Sequence, residues 1–269
     1  MFEFLRERKN NNVDWNDLFQ IWLIVCPLVF LGGLIDAVAG GGGLITLPAY
    51  LLAGLPPHTA AGTNKFGNMW GTMLTAYRFL KRGDVHFPSA IWGGIGALIG
   101  AWIGAKLNLI MPEQYLYYIM LAIVPVMAIF LLLKKDFGNE NQSDQFSVMK
   151  LCVLVGVISL AVGAYDGFFG PGAGTFLMLA YTGICKFDLL TASGNTKVAN
   201  SASNIASLIT FAMAGEVMWA VAIPAAISGI LGGYVGSSLA LKSGAKIIRP
   251  MFFVVMALLV GRLVYDLIV

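Results

Sequence analysis

The chain is short of charge. Asp, Glu, Lys and Arg make up 12% of its 269 residues, where a soluble domain carries about 25%. So few charges cannot cover a surface in water, and this excludes an ordinary soluble enzyme or binding domain. Histidine occurs only as His58 and His86, neither with a neighbour at metal-ligand spacing, so no metal site is expected. The three cysteines, Cys26, Cys152 and Cys185, form no CxxC pattern, and Cys26 and Cys152 read as small hydrophobes inside apolar helices. There is no nucleotide-binding motif, no cofactor motif and no paired nucleophile and base. No catalytic residue and no cofactor are therefore expected, and coupling to an ion gradient or the membrane potential is favoured over ATP. The formal net charge of +3 gives no reason to expect a nucleic-acid partner.

What the chain has instead is apolar length, with 58% of its residues hydrophobic. Residues 87–105, 114–133, 198–215 and 217–241 are each free of Asp, Glu, Lys and Arg. At about 1.5 Å per helical residue, each run crosses a hydrocarbon core of about 30 Å. None alternates as a membrane β-strand does. The fold class expected is all-α, a polytopic bundle in a lipid bilayer. The first 17 residues hold Arg6, Glu7, Arg8, Lys9, Asp14 and Asp17 and are expected outside it. The apolar stretch that follows leads into a Gly-rich motif, so it reads as a retained helix and not a cleaved signal peptide.

The chain repeats itself. Residues 33–43, GLIDAVAGGGG, match 163–173, GAYDGFFGPGA, at an offset of 130, so that Asp36 matches Asp166 and Gly40 matches Gly170. From there the offset is 132. It aligns Asn64, Lys65 and Asn68 with Thr196, Lys197 and Asn200, and Gly83-Asp84-Val85 with Gly215-Glu216-Val217. It also aligns Gly96, Gly100 and Gly104 with Ser228, Gly232 and Gly236. An offset held through separate motifs marks a duplication. The expected organisation is a polar segment 1–17, a first transmembrane repeat 18–134, a polar linker 135–147 and a second repeat 148–269. In each half a long helix (18–39; 149–168) runs into the glycine break, followed by a short segment (43–55; 173–184). Helices over 59–80, 87–108 and 114–134 follow in the first half, and over 189–214, 218–241 and 247–268 in the second. That makes eight long helices and two short ones.

Loop charge bears on how the halves are oriented, because Lys and Arg gather in cytoplasmic loops. Arg78, Lys81 and Arg82 make one loop basic, while its match near 210–216 has no Lys or Arg. The loop after Lys106 is nearly free of positive charge, while its match holds Lys242, Lys246 and Arg249. This exchange favours inverted copies over parallel ones, although total loop charge fits both.

Three features bear on chemistry. The first is the pair of glycine breaks, including Gly41, Gly42 and Gly43 in one half and Gly172 and Gly174 in the other. Glycine inside a helix costs about 1 kcal/mol against alanine, and backbone freed at membrane depth needs polar partners. Such a break is either a tight reversal for close packing or a broken helix whose following segment aims its N-terminus at an anion. The second is the pair of intramembrane lysines, Lys65 and Lys197, set among Asn64, Asn68, Thr196 and Asn200. Cations beside amide and hydroxyl donors suit a small oxyanion. Alternatively, each lysine neutralises the aspartate of its own repeat, Asp36 or Asp166, which is also open to a role in proton coupling. The third is the pair of small-residue ladders on 96–104 and 228–236, which pack helices within the bundle or pair two copies as a homodimer.

With GLIDAVAGGGGLITLPAYLLAG, GTNKFGNMWGT, GAYDGFFGPGAGTFLMLAY and KVANSASNIASL, the sequence resembles the TauE/SafE family over about residues 20–269. These are bacterial membrane permeases associated with export of sulfite and organosulfonates. The resemblance implies a multi-pass protein of the inner membrane and a small sulfur-containing anion as substrate. It places Gly40 to Gly43, Lys65, Asn68, Gly170 to Gly174, Lys197 and Asn200 at the matching positions. Pro171 and Ala173 interrupt the second glycine run, a departure that leaves the symmetry of the site open. The reading reached is a secondary transporter, working as an exporter. The alternatives are an anion channel for the same class, or a membrane protein with a structural or partner-binding role.

Overall fold

The computed structural model describes residues 15–112, 115, 140–244 and 246–247. The expected helices 114–134 and 247–268 lie almost wholly outside them. The described part is all-helical. In the first half α1 spans Trp15–Ala39, α2 Gly43–Leu52, α3 Pro57–Arg82 and α4 Phe87–Ile110. In the second, α5 spans Val148–Phe168, α6 Ala173–Gly183, α7 Leu189–Met213 and α8 Trp219–Ser243. The order long, short, long, long occurs twice.

Local chemistry sets the ends. Helix α7 starts at Asp188, whose carboxylate accepts from the amides of Leu190 (2.9 Å) and Thr191 (3.0 Å), a side-chain cap on otherwise unpaired donors. Helix α3 starts with Pro57 in its first turn, where the missing amide costs no bond. Helix α2 stops at Leu52, short of the expected 55, because Gly54 turns left-handed and Pro56 follows.

Among the described residues four helices, α1, α4, α5 and α8, are long and apolar enough to cross a membrane. Helices α3 and α7 have 26 and 25 residues, enough to cross by length, but they are more polar and lie inside the bundle. Apolar side chains on α4, from Phe87 through Trp92 and Leu98 to Ile110, remain exposed, as lipid-facing positions should.

The halves interlock. Helix α4 packs on α5 and α7 of the other half and scarcely touches α3 of its own, and α8 correspondingly packs on α1 and α3. The small-residue ladders make these crossings. Gly96, Gly100 and Gly104 lie against the backbones of Gly156, Leu160 and Ala164, while Gly232 and Gly236 lie against those of Phe30 and Leu34. A side chain at any of them would strike the facing carbonyl, so the ladders serve packing inside the chain.

At the centre α3 packs on α7. Gly62, near the start of α3, lies against Glu216, just past the end of α7. Gly194, near the start of α7, lies against Asp84, just past the end of α3. Thr63 Oγ1 accepts from the amide of Met218, and Asn195 Oδ1 from that of His86, each at 3.0 Å. Each helix thus begins where the other ends, and the two run antiparallel.

Candidate functional site

The glycine breaks bring the two halves together. Gly40 ends α1 in a left-handed conformation with φ 78°, and Gly170 follows α5 with φ 98°. The broken segments touch: Gly40 lies against Gly174, and Gly43 against Pro171, whose Cα would stand 3.2 Å from a Cβ at Gly43. Thr175 Oγ1 donates to the carbonyl of Ala39 at 3.1 Å, closing one of the acceptors left at the end of α1.

The lysines reach across this seam. Lys65 Nζ lies 2.8 Å from Asp166 Oδ2, and Lys197 Nζ 3.2 Å from Asp36 Oδ2. The reading in which each lysine neutralises the aspartate of its own repeat is corrected: both pairs join opposite halves. Interlocking is the reason. The antiparallel contact carries Lys65 on α3 towards the end of α5, and Lys197 on α7 towards the end of α1.

The two pairs are not equal. Lys197 is wholly buried, and its ammonium also donates to the backbone carbonyl of Asp36, in the last turn of α1. A cation bonded to the carbonyl end of a helix acts as a cap and complements the helix dipole. For Lys65, Asp166 is the ion-pair partner, and that carboxylate also accepts from Ser203 Oγ.

A cavity of about 30 Å3 lies at the seam. Of the expected residues, Asp36, Gly40, Gly43, Asn64, Lys65, Asn68, Asp166, Gly170, Gly174 and Asn200 line it, and Thr72 and Asn204 complete the lining. Gly41, Gly42, Gly172, Thr196 and Lys197 are not part of the lining. Gly42 instead lets α2 fold back on Gly32 of α1. Asn68 Nδ2 donates to Thr46 Oγ1 (3.0 Å) and Asn64 Oδ1 (2.8 Å), which fixes its amide. Asn200 Oδ1 and Thr196 Oγ1, both buried, have no hydrogen-bond partner among the described residues. Thr72 escaped the sequence reading. Its signal was available, since it lies four residues beyond Asn68 and matches Asn204 at the offset of 132. Among the described residues no three of His, Cys, Asp and Glu gather as metal ligands.

This is a pocket built from both halves, lined by one cation, two carboxylates and several amides. The model of the sulfite exporter TauE/SafE family matches residues 25–263. The chain belongs to the TauE/SafE family. Among curated relatives, it is 34% identical over 256 residues to "Probable membrane transporter protein YfcA" of Escherichia coli K12, covering 94% of each chain. It is 35% identical over 248 residues to "Probable membrane transporter protein ORF9" of Sinorhizobium sp, covering 92% of this chain and 94% of the relative. A "Probable membrane transporter protein" of Haemophilus influenzae is 34% identical over 241 residues, covering 88% of this chain and 92% of that one. No solved structure matches the chain. As a TauE/SafE protein the chain is a multi-pass membrane transporter.

Proposed function

We propose that this TauE/SafE protein is a secondary transporter of the inner membrane that exports a small sulfur oxyanion, sulfite or a short sulfonate, through the cavity at the α3–α7 seam. The observation that carries the reading is Lys65 in the lining of a cavity that both broken segments also line. A charge at bilayer depth costs about 2.5–3.5 kcal/mol on insertion scales, and a cation that ends in a cavity has a ligand-binding use for that cost. Size supports a small substrate. The cavity of about 30 Å3 compares with about 10–15 Å3 for one water, so this conformation suits a compact oxyanion and not a long organic chain. Asn200 adds an amide to the lining, whose Nδ2 can donate to an anion.

Charge balance shapes the mechanism. Lys65, Lys197, Asp36 and Asp166 sum to zero, so an arriving anion must draw Lys65 away from Asp166. Opening that pair loosens one half from the other, which ties binding to movement. Binding of sulfite, thiosulfate and a series of sulfonates to purified protein tests the reading by calorimetry. Sulfite or a short sulfonate is expected to bind, with affinity falling as the organic chain lengthens. If no member of that series binds, the assignment to sulfur oxyanions is wrong.

The same reading treats the halves as inverted repeats, with residues 78–83 and 242–249 on the cytoplasmic side and both termini outside. The antiparallel run of α3 and α7 supports it, because equivalent helices run opposite ways when an in-plane axis relates the copies. Gly83 and Gly215 are matched and exposed, with nothing within 4 Å of a Cβ at either. Gly83→Cys and Gly215→Cys are expected to react with an impermeant thiol reagent from opposite faces of the membrane, Gly215→Cys from outside. Labelling of both from one face would refute the inversion.

A further inference from the structure

The cavity does not end the polar surface of the two central helices. On α3, Asn68, Thr72 and Thr75 continue it, and at the constant offset of 132 so do Asn200, Asn204 and Ser207 on α7. At 3.6 residues per turn these positions stay within an arc of about 60° on each helix. Thr72 and Asn204 line the cavity, while Thr75 and Ser207 stand beyond it, both buried. Ser207 Oγ has no hydrogen-bond partner among the described residues. A buried hydroxyl without a partner is costly unless something polar visits it. Four residues further along the same arc each stripe meets a phenylalanine, Phe79 on α3 and Phe211 on α7. Both are 0% exposed. Each lies about 10 Å along its helix from the last cavity residue, at 1.5 Å per residue. Because α3 and α7 are antiparallel, the rings lie on opposite sides of the cavity.

Resting on the reading of the cavity as a transport site, we propose that the anion's path follows these two stripes, with Phe79 and Phe211 as its two barriers. An unbroken polar seam across a bilayer would leak ions, and an apolar ring in the path blocks it by excluding water. Phe79 sits in the apolar cluster with Val38, Ala39 and Ala240, near the end of α3. Phe211 sits with Ala61, Ala105, Val217 and Ala222, near the end of α7. Phe66, Leu109 and Leu208 complete its packing, so the ring moves only when α3 and α7 shift. One ring withdraws while the other stays, and the site opens to one face at a time.

Sidedness tests this without any substrate, so its outcome is independent of whether sulfite binds. In a chain with Cys26, Cys152 and Cys185 replaced by serine, Asn204→Cys serves as reporter for an impermeant thiol reagent applied to vesicles of either orientation. Adding Phe79→Ala is expected to speed labelling about tenfold, a factor equivalent to 1.4 kcal/mol, from the face of residues 83–86 alone. Adding Phe211→Ala should do the same from the face of residues 214–218 alone. Should an alanine variant fail to fold, judged by size-exclusion profile, leucine at that position replaces it, with about threefold acceleration and the same sidedness. No acceleration, acceleration from both faces, or acceleration from the wrong face would overturn the assignment.

Discussion

Replacing Lys65 by glutamine is expected to weaken anion binding ten- to a hundredfold, and adding Asp166→Asn is expected to recover folding without recovering binding. A hydrogen bond to a charged group is worth about 1.5–3 kcal/mol, which corresponds to that range of affinity. The single variant has a second cost. Asp166 is buried against Lys65 at 2.8 Å, and removing one partner of a buried pair costs about 3–5 kcal/mol. Lys65→Gln should therefore lower both the thermal stability of the purified protein and its affinity. Asp166→Asn removes the stranded carboxylate, so stability returns while the cation stays missing. Asp166→Asn alone leaves Lys65 unopposed and should bind the anion more tightly than the parent chain. Restored binding in the double variant would show that Lys65 only neutralises Asp166.

The same series at the other pair should behave differently. Lys197 is bonded to a helix-end carbonyl as well as to Asp36 and is absent from the cavity lining. Both lysines were read from the sequence as anion ligands because they occupy matched positions. The repeat makes them equivalent in sequence, but it does not make their surroundings equal. Pro171 and Ala173 replace two glycines in the second break, and the broken segments then meet unevenly, with Gly40 set against Gly174.

The sequence made the architecture legible wherever one property recurred. Charge-free runs marked α4 and α8, the offset of 130 to 132 marked the two halves, and glycine runs marked the breaks after α1 and α5. It left the pairing of Lys65 with Asp166 obscure, because a repeat reveals which residues are equivalent and not which half each will touch. That choice is made by helix packing. Gly96, Gly100 and Gly104 let α4 approach α5 so closely that the fourth helix of one half binds the first of the other. The ladders were visible, but nothing in their spacing named the helix that would fill them. Thr72 was missed for another reason. Threonine inside a membrane helix can bond its own backbone, as Thr72 does to the carbonyl of Asn68 at 3.0 Å, so its presence alone carries little weight.

The backbone crossing at Gly40 should tolerate substitution least. Gly40→Ala is expected to abolish transport and to reduce the yield of folded protein sharply, while Gly83→Ala leaves both close to normal. The two glycines share a left-handed backbone, with φ 78° at Gly40 and 89° at Gly83, so the conformational penalty for alanine, about 1–2 kcal/mol, is common to both. Their surroundings separate them. A Cβ at Gly40 would stand 2.8 Å from the carbonyl oxygen of Gly174 and from the amide nitrogen of Thr175, whereas one at Gly83 meets nothing within 4 Å. The clash is with backbone and cannot be relieved by turning a side chain, and overpacking of this kind adds about 1–3 kcal/mol. Gly174→Ala supplies the reverse test. Its backbone is helical, so it carries no left-handed penalty, yet its Cβ would stand 2.5 Å from the carbonyl oxygen of Gly40 and 2.6 Å from Nδ2 of Asn200 in the cavity lining. That variant should fold better than Gly40→Ala and still transport poorly, because it displaces a lining amide. Size-exclusion profiles and transport by the three variants, measured side by side, check the ranking. If Gly40→Ala matched Gly83→Ala in both, the two broken segments would not be held in contact at the centre of the protein.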